Sequence, residues 1–170
     1  VVCAEIPKMK EKALEFAKSL PVVGAAKHYA TEVDYMDAKS IENCMADSVK
    51  QAGKVDILVN SGYERVTSDW TNVSLEQFTR QLANASGVFA LCRAMREHVV
   101  NRGGKGSIIN IGSMYGLVGS YPDAYAGITM ASPVAYHALK GGILSMTRHL
   151  AVYWVGDNVL VNFLTPRPFP

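Results

Sequence analysis

At 170 residues, 49% hydrophobic and 19% charged with a net charge of +2, the chain can bury one sizeable core and is too apolar and too balanced to be disordered. Its basic residues are scattered, which argues against a nucleic-acid or anionic-membrane surface. No apolar run approaches the roughly 18 residues that span a bilayer.

The opening run "VVCAEI" (1–6) reads as a strand and "KMKEKALEFAKSL" (8–20) as a helix. An apolar run ahead of its charges is the wrong order for a secretory signal. "KHYATEVD" (27–34) is the next strand, followed by a helix over about 38–53. "VDILVN" (55–60) is a third strand, apolar enough to be buried on both faces. A long helix runs from Ser74 to about Arg102, with Ser74 and Gln77 placed for a capping box. "GSIINIGS" (106–113) is a fourth strand, a helix covers about 132–155, and "NVLVNFLTP" (158–166) is a fifth strand. Short β-branched runs alternating with long helical patterns imply βαβ units, hence a single α/β domain over 1–170 with a doubly wound parallel sheet and helices on both faces.

Cys3, Cys44 and Cys92 are odd in number and lack C-x-x-C spacing, so they read as reduced, mostly buried thiols of a cytoplasmic protein. His28, His98, His137 and His149 have no metal-ligand spacing, and no metal is expected.

Doubly wound sheets bind ligands at the carboxyl ends of their strands. Those ends carry Asp34, Asn60-Ser61-Gly62, Gly112-Ser113 and Thr165-Pro166. Ser113 closes the fourth strand, and Tyr136 and Lys140 follow in "AYHALKGG" at the start of the next helix. Residues four apart share a helix face, and an ammonium beside a phenol favours the phenolate, a group able to exchange a proton with an alcohol or carbonyl. A second such pair, Tyr35 and Lys39, has no strand-end serine behind it, and Tyr35 reads as a surface residue. "GSMYG" does not have the G-x-S-x-G spacing of a hydrolase nucleophile elbow, because its serine directly follows Gly112.

Strand-end serine followed by Tyr-x-x-x-Lys resembles the short-chain dehydrogenase/reductase family of Rossmann-fold oxidoreductases that use NAD or NADP. Segments along the whole chain agree: "CAEI", "EVDYMD", "LVNSG", "NASGVF", "INIGSMYG", "AYHALKGG" and "VNFLTPRPFP". The resemblance implies Tyr136 as general acid–base, Lys140 on the phenol and the nicotinamide ribose, Ser113 on the reacting oxygen, and Asn84 on a water-linked proton path to the lysine. It implies a cofactor contacted by Glu5 at the adenosine ribose, which favours NAD, by Asp34 beside the adenine, by Asn60, Ser61 and Gly62 in the turn after the third strand, and by Tyr136, Lys140 and Pro166. The residues themselves leave alternatives: Glu5 as an ordinary strand end, Asp34 as a helix or turn cap, Asn84 as a cap or kink.

The chain also departs from the family pattern. The family's first strand, glycine-rich pyrophosphate turn and first helix have no counterpart here, and the sequence stops before the family's substrate-covering region, so the Rossmann unit is expected to be incomplete at both ends. "LVNSG" is one residue short of the usual turn, and Arg167 stands where the family has glycine. The 23 positions from Ser113 to Tyr136 (136 − 113) hold an extra loop that resembles a subgroup acting on sugar- or polyol-like substrates. The expected function is hydride transfer between NAD(P) and a secondary alcohol or ketone by a homodimer or homotetramer packed through the helices near 84–102 and 133–155. The alternative is a non-catalytic scaffold of the same family, unable to hold dinucleotide. An epimerase or dehydratase of the extended branch also uses Tyr-x-x-x-Lys, and "NASGVF" argues against it.

Overall fold

The computed structural model describes residues 1–128 and 131–166. Among the described residues five strands and four helices follow in the expected order, with one short helix that was not expected: β1 (Val2–Glu5), α1 (Lys10–Ser19), β2 (Tyr29–Glu32), α2 (Ala38–Ala52), β3 (Ile57–Asn60), α3 (Leu75–Asn101), β4 (Gly106–Ile111), the short α4 (Pro122–Tyr125), α5 (Val134–Trp154) and β5 (Val159–Leu164). Local chemistry sets several boundaries. Asp37 caps α2 by accepting from the Lys39 N–H at 2.8 Å. At α3, Ser74 Oγ accepts from the Gln77 N–H at 3.1 Å while Gln77 Oε1 accepts from the Ser74 N–H at 3.0 Å, the reciprocal pairing that satisfies two orphan donors.

Every strand pairing is parallel, as the alternation of strands and helices implies. The strands nevertheless fall into two sheets, β1–β2 and β3–β4–β5. In the first sheet the two faces are distinguishable. Thr31 and Val33 turn toward α2, where Val33 packs with Ile41 and Cys44, while Glu32 on the opposite face pairs with Lys10 of α1 at 2.8 Å.

The second sheet is covered on one face only. Ile108, Val159 and Val161 join Val88, Cys92, Met95 and Val99 of α3 and Leu139, Ile143 and Leu150 of α5 in the larger core cluster. On the opposite face Ile57, Val59, Leu160 and Leu164 are all more than half exposed. The expectation that the third strand is buried on both faces is therefore corrected. Its apolar residues were read rightly, but among the described residues no helix packs over Ile57 and Val59.

Tyr35 also departs from expectation. It is half-buried, lies just past β2 and packs against both core clusters. It sits against Gly87 of α3, where a Cβ would come within 2.5 Å of the Tyr35 carbonyl oxygen. Burial pushes its phenol up to about 12. Lys39, by contrast, lies in α2 and pairs with Glu42, so this second Tyr/Lys pair shares no helix face.

Candidate active site

Buried residues on α5 recur at Ala135, Leu139, Ile143, Thr147 and Leu150, the spacing of one helix face. That stripe lies on the second sheet and rotates Tyr136 and Lys140, one position round, onto the flank beside the end of β4. Ser113 follows β4 after Gly112, and its Oγ accepts from the Tyr115 N–H at 3.2 Å, which leaves its own O–H free to donate. Two glycines allow this approach. A Cβ on Gly112 would overlap the Phe163 ring, and one on Gly116 would lie 2.8 Å from the Lys140 carbonyl oxygen. The turn carrying Ser113 thus rests directly on the α5 backbone.

Lys140 is buried, 4% exposed, and donates to the Ile111 carbonyl at 2.7 Å. Its ammonium lies 5.6 Å from the Tyr136 ring centroid and 5.2 Å from that of Tyr63. Burial lowers its pKa. A lysine whose folded pKa is depressed takes up more protons when unfolded, so its charge costs stability below the folded pKa, and the cost fades as pH rises toward the unfolded value. Lys140→Met is therefore expected to raise the unfolding midpoint at pH 7. Calorimetry at pH 7 and pH 10 should show the gap between variant and parent narrowing at the higher pH. A midpoint lowered at pH 7 would contradict the assignment.

The cleft in front of these groups encloses about 580 Å³. Ser61, Ser113, Tyr136, Lys140 and Pro166 all line it, so the structure brings together five of the residues singled out from sequence. The donor chemistry fits the nicotinamide-ribose end of a dinucleotide. Of the three ammonium N–H groups of Lys140, one is taken by Ile111, and the other two have no acceptor among the described residues.

Other expected site residues lie elsewhere. Asn60 turns into the core, where Nδ2 donates to Asn110 Oδ1 at 2.8 Å and to Cys92 Sγ at 3.3 Å, and Asn110 in turn donates to Thr147 Oγ1 at 2.9 Å. Gly62 lies beside the Tyr35 hydroxyl with room to spare. Asn84 is fully buried and clasps the loop after β3. Its Oδ1 accepts from the Glu64 N–H at 2.6 Å, and its Nδ2 donates to the Glu64 carbonyl at 3.2 Å. None of its hydrogen bonds reaches Lys140. Glu5 and Asp34 sit at the ends of the other sheet. Glu5 is exposed and its carboxylate accepts from the neighbouring Ile6 N–H, and Asp34 Oδ1 accepts from the Met36 N–H at 2.9 Å in a local turn. Arg167 lies outside the described residues.

Sequence reasoning missed Gln81 and Tyr63. Gln81, fully buried, accepts from the Val66 N–H at 2.7 Å and donates to the Glu64 carbonyl at 2.9 Å. The signal was present: Gln81 and Asn84 stand three apart on the face of α3 that continues into Val88 and Leu91, and a polar residue on a core face needs a partner. The clamped loop presents Tyr63, whose ring centroid lies 5.4 Å from that of Tyr136.

The family model described as enoyl-(acyl carrier protein) reductase matches residues 1–170. D-threitol dehydrogenase of Mycolicibacterium smegmatis is 31% identical over 144 residues, which are 84% of this chain and 50% of that protein. Glucose 1-dehydrogenase of Gluconobacter oxydans is 27% identical over 94% of this chain and 56% of its own length. A short-chain dehydrogenase/reductase structure from Burkholderia xenovorans superposes with a TM-score of 0.76 at 28% identity, over 98% of this chain and 61% of that one. The fold, the strand-end serine and the helical Tyr/Lys pair belong to one class of nucleotide-binding α/β proteins. The chain is a member of the short-chain dehydrogenase/reductase family, and it spans a little over half the length of the curated relatives it matches.

Proposed function

We propose that the protein is an NAD(P)-dependent oxidoreductase that interconverts a secondary alcohol and its ketone, with residues 1–170 forming one partial nucleotide-binding domain. The observation that carries this reading is the convergence of Ser113, Tyr136 and Lys140 on one cleft. In the oxidative direction Tyr136 acts as general base on the hydroxyl proton, Ser113 donates a hydrogen bond to the reacting oxygen, and Lys140 holds positive charge beside the oxygen on which negative charge develops. The nicotinamide, when bound, would accept the hydride. Lys140 would also hold the ribose hydroxyls, and Ser61 and Pro166 line the same cleft.

The exposed carboxylate of Glu5 suits a pair of ribose hydroxyls and repels a 2′-phosphate, which supports NAD over NADP. For Asn84 the loop clasp supports a positioning role in addition to any proton path. The names of the relatives and the long segment between Ser113 and Tyr136 support a sugar- or polyol-like substrate. Val152 and Tyr153 of α5 are 72% and 69% exposed, and apolar surface of this kind on the helix expected to pair supports a homodimer or homotetramer. Three free thiols accord with the cytoplasm.

The test is absorbance at 340 nm during incubation of the protein with NAD or NADP and a panel of secondary polyols. Reduced cofactor should accumulate with at least one polyol. No turnover with any of them, by folded protein, overturns the reading and favours a scaffold.

A further inference from the structure

The charges in the cleft are one-sided. Its lining carries hydroxyls from both long walls, among them Ser61, Tyr115, Tyr125 and Ser132, together with two cations, Arg65 and Lys140, and no carboxylate. Lys140 donates to the Ile111 carbonyl and lies beside the Tyr136 ring. Arg65 makes no ion pair among the described residues.

Arg65 is exposed, and its neighbours fix the backbone on either side of it. Glu64 turns away to Arg80, whose Nε lies 2.8 Å from the Glu64 carboxylate. The backbones of residues 64 and 66 are pinned by Asn84 and Gln81. Arg65 is thus carried between two fixed points of the chain. Asp69 lines an adjoining hollow of about 260 Å³ that shares Tyr125, Ala131 and Ser132 with the cleft, and its Oδ1 already accepts from the Thr71 N–H at 3.0 Å.

We propose that the cleft takes a polyhydroxy acid, a hydroxylated carbon chain ending in a carboxylate, with Arg65 holding the carboxylate and the wall hydroxyls the chain. This rests on the dehydrogenase reading and narrows its substrate from a neutral polyol to a sugar acid. Arg65 shares its walls with Tyr115, Tyr125 and Ser132, which lie in the segment between Ser113 and Tyr136. A guanidinium can clasp both carboxylate oxygens at once, a geometry that an ammonium cannot offer.

The same guanidinium could meet a pyrophosphate, so the test separates the two anions. Calorimetric titrations of the whole chain would use D-gluconate, D-sorbitol and inorganic pyrophosphate, with the parent, Arg65→Gln and Arg65→Lys. Gluconate is expected to bind about tenfold or more tightly than sorbitol. Arg65→Gln should erase that preference and leave sorbitol binding unchanged, which also certifies the fold, and Arg65→Lys should retain part of it. Equal binding of gluconate and sorbitol, absence of binding by both, or a gluconate preference that survives Arg65→Gln overturns the proposal. Loss of pyrophosphate binding alone in Arg65→Gln also overturns it, by moving the residue to the dinucleotide. Gluconate binding lost on Arg65→Gln, in a protein with no NAD- or NADP-linked turnover, would keep the anion site and remove the dehydrogenase reading.

Discussion

Tyr136→Phe is expected to lower the turnover of alcohol oxidation by about 10²–10⁴ and to leave the unfolding midpoint nearly unchanged. The two effects separate because the substitution removes one atom. The ring that packs 5.4 Å from Tyr63 and lies beneath the Lys140 ammonium stays in place, and no hydrogen bond from the Tyr136 hydroxyl to the described residues is broken. What disappears is the group that exchanges a proton with the substrate oxygen. Steady-state kinetics and a thermal scan on the same preparation check both halves. Turnover within about threefold of the parent would remove Tyr136 from the acid–base role.

Gly87→Ala carries the largest structural effect, and two forces oppose each other there. Inside a helix alanine is favoured over glycine by about 1 kcal/mol. The added Cβ would stand 2.5 Å from the Tyr35 carbonyl oxygen and 2.8 Å from its Cα, and backbone atoms cannot rotate away as the end of a side chain can. Forcing atoms into a packed contact costs about 1–3 kcal/mol, more where the backbone must move. Tyr35 belongs to both core clusters, so displacing it loosens the junction of the two sheets as well. Sterics should win, with a net loss of about 1–2 kcal/mol and an unfolding midpoint lower by about 2–8 °C. An unchanged or raised midpoint would show that the contact yields cheaply.

Order and kind of the elements were legible because each carried a local signal. The capping box at Ser74 and Gln77 marked the start of α3 to the residue, and the Ser113 and Tyr136/Lys140 pattern marked the site. What escaped depended on partners distant in the chain. The continuous apolar run of β3 states that Ile57 and Val59 can be buried, but only a packed neighbour decides that they are, and here they are exposed. Tyr35 read as a surface residue because the gap that receives it is made by Gly87, 52 positions further on (87 − 35). Asn60 sits at a strand end, where ligand-facing and core-facing side chains alternate, and one residue decides between the cleft and the Cys92–Asn110–Thr147 network. Gln81 and Arg65 became meaningful only once the loop between them had a shape.

Titrating the 170-residue chain with NADH and with NADPH, followed by heat, tests most directly the claim that this cleft serves a dinucleotide. Saturable binding of NADH, tighter than that of NADPH in keeping with the Glu5 carboxylate, is the expected result. Folded protein that binds neither would contradict the claim and leave Ser113, Tyr136 and Lys140 as a site without its cofactor.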